Sequence, residues 1–582
     1  MLTIIKNHRF RLTFASLILL ISLIYGLPNI YLTYKLGKNY SSPLANRSSS
    51  IGTDESTLYA PAVNYISQDH VFLKDVYVAE YANYPTPFIG ESAPSIVMAI
   101  LAYITGTIDN AFIAADFIFP ALIFALLYVF SSHFIKSGYF ALITSFTASI
   151  SRDFIATVPN PFSIIDYLKY GDSHNEFLYL SRSFHPQISF IFFLSSMTLL
   201  LHLIKKPALK TSIILGISFG LLFYTYIFYW TYFLVFITLV FIYFTFKKDF
   251  KIVKLLIISV LIGISFGLYY FQNIFNFYSL SIASDFTEKF TVTSSPIPLT
   301  LFRHVFIAIL LWLVISAKDR KNIFLKKELK YFYVALILVG IFFPLASKII
   351  GKDLETLHYI RRGLMPFTTV ALFITIYYFF KNNKYFLKSF ITFIFAGFLF
   401  FALTIQVRAT KNIQFSEAKG DDQKDVLGWF KHFTPKNSVI GSLDTSFNML
   451  IPVYTNNKVY FPPTYRSITP TYEENERYAI LSNLLGIDPS DQKKDLEKIA
   501  SYVFSFKAYN QKKRTFEIDP KRKILAETQL DVLSRIDIKS LIRRYQIDYM
   551  VVRADYINNT NPHFELLKPL TSVNGYVIFK VI

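Results

Sequence analysis

The chain has 582 residues, 53% of them hydrophobic and 17% charged, with a formal net charge of +20. A soluble chain of this length would divide into several domains in which polar and apolar segments alternate. Here apolar runs of membrane-spanning length recur instead, which makes the chain a polytopic α-helical membrane protein. There is no cysteine, so disulfides, thiolate metal sites and thiol catalysis are excluded.

The N-terminus reads KNHRFR before an apolar run at 12–34. That run is long for a signal-peptide core and has no small-x-small cleavage site near its end, so it reads as a retained anchor helix. Ten further spans follow at 112–132, 139–151, 187–204, 211–227, 229–246, 252–272, 300–317, 332–347, 364–380 and 386–404. The segment PSIVMAILAYITGT, 94–107, is short for a span and reads as an interfacial or re-entrant helix.

Lysine and arginine placement tests this threading. With the N-terminus in the cytoplasm, the cytoplasmic segments are short and basic, among them KKPALK, KKDFKIVK and KDRKNIFLKKELK. The opposite loops are longer and carry most of the acids. Counting 94–107 as a span would put the basic loops outside, so the rule selects eleven spans. The basic excess then reflects topology and contact with anionic lipid, and no nucleic-acid partner is expected.

After the last span the pattern changes. KDVLGWFKHF reads as a helix, NSVIGS as a strand, ENERYAILSNLLG as a helix, IKSLIRRYQ-IDYMVV as helix then strand, and GYVIFKV as a final strand. The expected organisation is a transmembrane unit at 1–404, with outer loops at 35–111 and 152–186, and a soluble extracytoplasmic α/β domain at 405–582.

The first outer loop contains IGTDESTLYAPAVNYI, with Asp54 and Glu55 adjacent. Thr53 or Asp54 suits a helix N-cap before a face formed by Leu58, Ala62, Tyr65 and Ile66. A carboxylate fixed there could also take the proton of an acceptor hydroxyl, and the two roles are compatible. The second outer loop, YGDSHNEFLYLSRSFHP, carries Asp172 and Glu176, with Asp166 as a rival acid. Late in the chain, HYIRRGLMPF puts His358, Arg361 and Arg362 at the outer start of a span. Arginines there snorkel at interfaces or meet a lipid phosphate in bidentate geometry.

Together these features resemble the GT-C membrane glycosyltransferases, which include protein O-mannosyltransferases, aminoarabinose transferases and oligosaccharyltransferase catalytic subunits. The resemblance implies that Asp54 acts at the reaction centre as base or acceptor ligand, with Glu55 beside it. Gly90, Glu91, Ser92 and Pro94 look like the end of the same loop. The resemblance also implies that Arg361, Arg362 and His358 contact the donor phosphate, and that Asp172 and Glu176 form the second acidic motif. Their Asp-x-x-x-Glu spacing departs from the Asp-x-Glu type, and the metal requirement stays open. A divalent cation, Mg²⁺ or Mn²⁺, would use Asp54, Asp172 and Glu176. Trp429, Pro435 and Ser438-Val439-Ile440 are similar to the start of the periplasmic domain in prokaryotic members. Ser442-Leu443-Asp444 stands where oligosaccharyltransferases carry Trp-Trp-Asp, which argues against sequon-directed N-glycosylation.

The expected function is transfer of a sugar from a polyprenyl-phosphate donor to a hydroxyl of a lipid, glycan or protein, at the outer face of the cytoplasmic membrane. The alternatives are a transporter or flippase for lipid-linked glycans, which would place acids inside spans, and a non-catalytic scaffold. Asp116, inside the second span, is a reserve candidate. YTYIFYWTY, 224–232, reads as an aromatic belt at the outer interface that could also stack on sugar.

Overall fold

The computed structural model describes residues 8–37, 40–42, 59–150, 177–290, 303–318, 327–350, 355–412, 421–463, 466–503, 507–510, 515–557 and 563–582. Its helical part comprises α1 (His8–Leu36), α2 (Ala60–Ile66), α3 (Ser92–Thr105), α4 (Ile108–Ser132), α5 (Gly138–Ile150), α6 (Ser189–Lys205) and α7 (Leu209–Leu222). It continues with α8 (Ile227–Phe246), α9 (Phe250–Tyr278), α10 (Ala283–Phe290), α11 (Arg303–Lys318), α12 (Lys327–Ile350), α13 (Met365–Phe380) and α14 (Lys384–Asn412). Among the described residues, nine helices are long and apolar enough to cross a membrane, and three shorter apolar ones accompany them. The protein is a multi-pass membrane protein. A helix lies at each of the eleven expected spans, and the last runs on to Asn412.

The segment from Pro87 to Thr105 is also apolar and long enough to be counted among the nine. Its ends, however, are held at one face. Glu91, just before α3, accepts from Arg466 at 2.8 Å. Asp109, just after it, accepts from the Tyr454 hydroxyl at 3.1 Å and pairs with Lys424 at 3.5 Å. Arg466, Tyr454 and Lys424 all belong to the C-terminal domain, so both ends of α3 face that domain. This geometry supports the re-entrant reading.

The helix ends that flank the short basic segments meet one another at the other end of the bundle. Lys205 Nζ donates to the His133 carbonyl, and the Tyr378 hydroxyl donates to the Phe134 carbonyl at 3.3 Å. The Tyr243 and Tyr331 rings, at the ends of α8 and α12, lie 4.6 Å apart.

One packing device repeats. The pentapeptide GISFG occurs at 216–220 in α7 and again at 263–267 in α9. The two helices meet through these glycines. A Cβ on Gly220 would stand 2.4 Å from Phe266, and one on Gly263 would stand 2.4 Å from Phe219. Small residues four apart let two backbones approach closely, which is how helices associate where apolar burial gives no driving force.

The C-terminal domain contains α15 (Asp421–Phe433), β1 (Val439–Gly441), α16 (Thr445–Tyr454), β2 (Lys458–Val459), α17 (Thr471–Leu484), α18 (Pro489–Val503), the hairpin β3 (Lys507–Asn510) and β4 (Thr515–Ile518), α19 (Pro520–Leu533), β5 (Tyr549–Arg553), β6 (Leu567–Val573) and β7 (Tyr576–Val581). The main sheet has the order β2-β1-β5-β7-β6. β1 is parallel to β2 and to β5, whereas β7 is antiparallel to β5 and to β6. Alternation along β5 sends Met550 and Val552 into one core with α17 and α19, and Val551 into another with α15 and α16. Tyr77 and Val78 of the first loop complete this second core.

Candidate active site

Four connecting segments and the C-terminal domain converge on one cluster of polar and aromatic side chains. Tyr59 precedes α2, where Pro61 occupies the first turn. Glu91 precedes α3, and His185 lies in the turn before α6. Tyr226 caps the start of α8, and His358 and Arg362 lie in the wide turn that leads into α13. Arg466 comes from the loop after β2.

The contacts run in a chain. The Arg362 guanidinium sits over the Tyr226 ring at 4.4 Å. The Tyr226 ring also stacks with the His185 imidazole, centroids 3.9 Å apart. Tyr59 meets His185 edge-on at 5.1 Å and carries the Arg466 guanidinium at 5.0 Å. Arg466 donates to Glu91 Oε2 at 2.8 Å, and Glu91 Oε1 lies 3.8 Å from His185 Nε2. The Tyr226 hydroxyl and His358 Nδ1 are hydrogen-bonded at 3.0 Å, and His358 Nε2 lies 3.6 Å from Glu355. His185 is fully buried, while Glu91 keeps 19% of its side chain exposed.

The electrostatics are uneven. Burial works against the charge on Arg466, but the Glu91 carboxylate beside it holds the guanidinium proton more firmly than usual. Arg362 differs: its Nη1 is buried with no hydrogen-bond partner among the described residues. A buried donor without an acceptor is costly, and a ligand anion would relieve that cost.

Of the residues singled out from sequence, Arg362 and His358 stand in this cluster. The Arg361 backbone lies in the same wide turn. Asp54, Glu55, Asp166, Asp172 and Glu176 lie outside the described residues, so the cluster is seen without them. Among the described residues, no group of three or more His, Asp or Glu is arranged to hold a metal ion.

Helix α2 begins at Ala60 with Tyr59 in the cap position and no side-chain cap bond, and Thr53 and Asp54 lie outside the described residues. Proline in the first turn sets that start, its fixed φ fitting a helix beginning. The 224–232 tyrosines are not a lipid-facing belt: Tyr226 is 8% exposed, and Tyr229 and Tyr232 are 1% exposed. Their spacing turns them inward, where Tyr232 packs where a side chain on Gly363 would stand. Asp444, in the place of the Trp-Trp-Asp acid, is an N-cap that accepts from the Ser446 and Phe447 backbone amides.

Asp116 is 1% exposed and accepts from Asn29 Nδ2 at 2.8 Å and from Gln187 Nε2 at 2.6 Å. Gln187 is two residues past His185, so this acid holds the turn that carries the imidazole. In the sequence Glu91 stands only as part of a loop end, Gly90-Glu91-Ser92. His185 and Arg466 gave no sequence signal of their own beyond a His-Pro step and an arginine in an irregular stretch.

No protein-family model and no curated protein sequence matches this chain. Among solved structures, it is similar to the Archaeoglobus fulgidus oligosaccharyltransferase tethered to an acceptor peptide containing the NVT sequon. That match has 13% identity and a TM-score of 0.45, covering 93% of this chain and 69% of that one. The apo form of the same protein gives 13% identity and a TM-score of 0.43, covering 96% and 73%. Its complex with zinc and sulfate gives 13% and 0.39, covering 96% and 72%. Values this low assign neither an activity nor a family.

Proposed function

We propose that this protein is a glycosyltransferase that moves a sugar from a polyprenyl-phosphate donor to an acceptor hydroxyl at the outer face of the cytoplasmic membrane, where the C-terminal domain also lies. The observation that carries this reading is the Arg362 guanidinium, stacked on Tyr226 with a buried Nη1 that has no protein acceptor among the described residues. A guanidinium at the start of a membrane-spanning helix suits a phosphate at the end of a lipid chain.

In this reading Arg362, with Arg361 and His358, holds the donor phosphate and stabilises the charge it gains as the sugar leaves. Donors fixed before the reaction are effective because they need no reorganisation. Asp54, in the loop that leads to Tyr59, removes or orients the acceptor proton. A positioned base of this kind contributes roughly 10²–10⁴-fold. Glu55 is its neighbour, and Asp172, Glu176 and Asp166 supply the second acidic motif. A divalent cation would be held by Asp54, Asp172 and Glu176.

The test is cleavage of labelled polyprenyl-phosphate sugars by the full-length protein in nanodiscs. Donor cleavage that disappears in Arg362→Ala supports the reading. Equal turnover by wild type and Arg362→Ala removes the phosphate assignment, and no turnover with any donor removes the transferase reading.

A further inference from the structure

We propose that a cleft between α2 and the C-terminal domain, apart from the cluster around Tyr226, is a subsite for one neutral sugar unit of an oligosaccharide substrate. That the sugar belongs to a substrate rests on the transferase reading. The cleft itself does not.

The cleft is open, about 310 Å³ with the solvent at its mouth included. That is the low end of the range for small-ligand sites, and it suits a single ring lying on a surface. One wall is α2 and the turn after it, with Tyr65, Gln68 and His70. The other is the turn before β1 and the segment between α16 and β2, with Asn437, Asn456 and Lys458. The walls are fixed to each other. Asn64 Nδ2 donates to the Pro452 carbonyl at 3.0 Å and to the Thr455 carbonyl at 2.7 Å, which pins α2 to the end of α16. Asn437, left-handed at φ 64°, donates its amide to the Asn456 carbonyl at 2.8 Å, which holds those two side chains on one rim.

The lining selects the chemistry. The Tyr65 and His70 rings stack in parallel, centroids 3.9 Å apart and 10° from coplanar. They form a flat aromatic platform of the kind that meets the C–H face of a sugar ring. The amides of Gln68, Asn437 and Asn456 each offer donors and an acceptor. A hydroxyl needs both, so this set matches a ligand rich in hydroxyls.

Charge narrows the class further. No Asp or Glu lines the cleft, which leaves nothing to hold a cation. Lys458 is the one fixed charge, and its Nζ is turned to the Val76 and Asp75 carbonyls at 3.2 and 3.5 Å. Its remaining near contact is the Tyr65 ring, 5.6 Å away, so it is committed to the wall. Partial desolvation, and then the Lys458 charge, hold the His70 imidazole below its usual pKa. A neutral imidazole adds one donor and one acceptor.

The place fits a sugar remote from the reacting bond. Tyr59, which belongs to the cluster, and Tyr65, which lines the cleft, stand at the two ends of α2. The helix rise between them is about 9 Å. The cleft also lies at the far end of the β1–α16 unit from Asp444, which follows β1 and caps the start of α16. Contacts to such a remote sugar are a means of holding the reacting end in place.

Two measurements on the full-length protein in nanodiscs test this. The first is binding without turnover, on an array of neutral oligosaccharides of glucose, galactose, mannose and N-acetylglucosamine, with uronate and phosphorylated glycans beside them. Wild type should bind neutral members with an affinity that added salt leaves unchanged. His70→Ala and Asn456→Ala should each weaken that binding roughly threefold to tenfold without lowering the unfolding temperature. His70→Phe, which keeps the stack, should recover part of it. Absence of binding, equal binding by wild type and both alanine variants, or binding confined to the acidic glycans overturns the proposal.

The second measurement adds the best neutral oligosaccharide to wild type cleaving a labelled polyprenyl-phosphate sugar. Label appearing on the oligosaccharide supports the subsite and puts its sugar in the acceptor. A raised KM for the donor, with no labelled oligosaccharide, supports it and puts the sugar in the donor glycan. Donor cleavage untouched by saturating oligosaccharide overturns the substrate role. Sugar binding in a protein that cleaves no donor counts against the transferase reading alone.

Discussion

Arg466 of the C-terminal domain donates to Glu91, at the end of the first loop, across 375 positions of sequence and at 2.8 Å. The pair is one of several that fasten this domain to the bundle. Arg477 reaches Glu80 at 3.0 Å, Lys289 reaches Glu474 at 2.9 Å, and Asp75 accepts from Ser467 Oγ at 2.6 Å.

Arg466→Met should therefore leave a largely buried carboxylate without its cation. Breaking such a pair costs about 3–5 kcal/mol. The expected outcome is faster proteolysis at the junction between bundle and domain and a lower unfolding temperature in detergent. The double variant with Glu91→Gln should recover part of that loss, because the orphaned charge is gone.

Arg362→Ala should raise the KM for a polyprenyl-phosphate sugar and slow its cleavage. Arg362→Lys should rescue only in part, because an ammonium lacks the planar fork and stacks less well on Tyr226. Full rescue by lysine would show that only a point charge is needed there.

Asp54→Asn should abolish transfer while leaving yield and folding unchanged. Asp54→Ala serves as a second probe of the same chemistry. Loss in Glu55→Gln with retention in Asp54→Asn would move the role to the neighbour.

Gly220→Val should destabilise the α7–α9 contact, since the added carbons meet Phe266 at 2.4 Å and the Gly263 carbonyl at 3.1 Å. Overpacking of this kind costs about 1–3 kcal/mol. The check is thermal unfolding in detergent, with Gly397→Ala, whose Cβ meets nothing within 4 Å, as the neutral control.

Reporter fusions at Lys327 and at the C-terminus should report opposite sides of the membrane. Both on one side would refute the eleven-span threading.

The elements legible in the sequence were those set by local pattern. Apolar runs gave the helices, lysines gave the basic end, and alternation gave β1, β5 and β7. Helix α16 is hidden in the sequence because Pro452 lies inside it, and its Asp444 cap precedes no clear apolar period. The site was half legible for a related reason. Arg362 and His358 stood out because cations are rare beside apolar spans on the acidic side. Arg466 is one arginine among many in a soluble domain, and only the docking of that domain gives it meaning. His185 is similar: its setting comes from Tyr226 and Glu91, partners on two other segments that no spacing rule connects to it.

The interleaving of first loop and last domain also fixes an order of events during synthesis. Val459 donates its amide to the Tyr77 carbonyl at 2.7 Å, so a residue made late completes the surroundings of one made early. Until the ribosome has passed Ser467, Glu91 lacks the Arg466 cation and Asp75 lacks the Ser467 hydroxyl. The first loop must wait for these partners while the rest of the helical part is made behind it, and the cluster is complete only once the final third of the chain arrives.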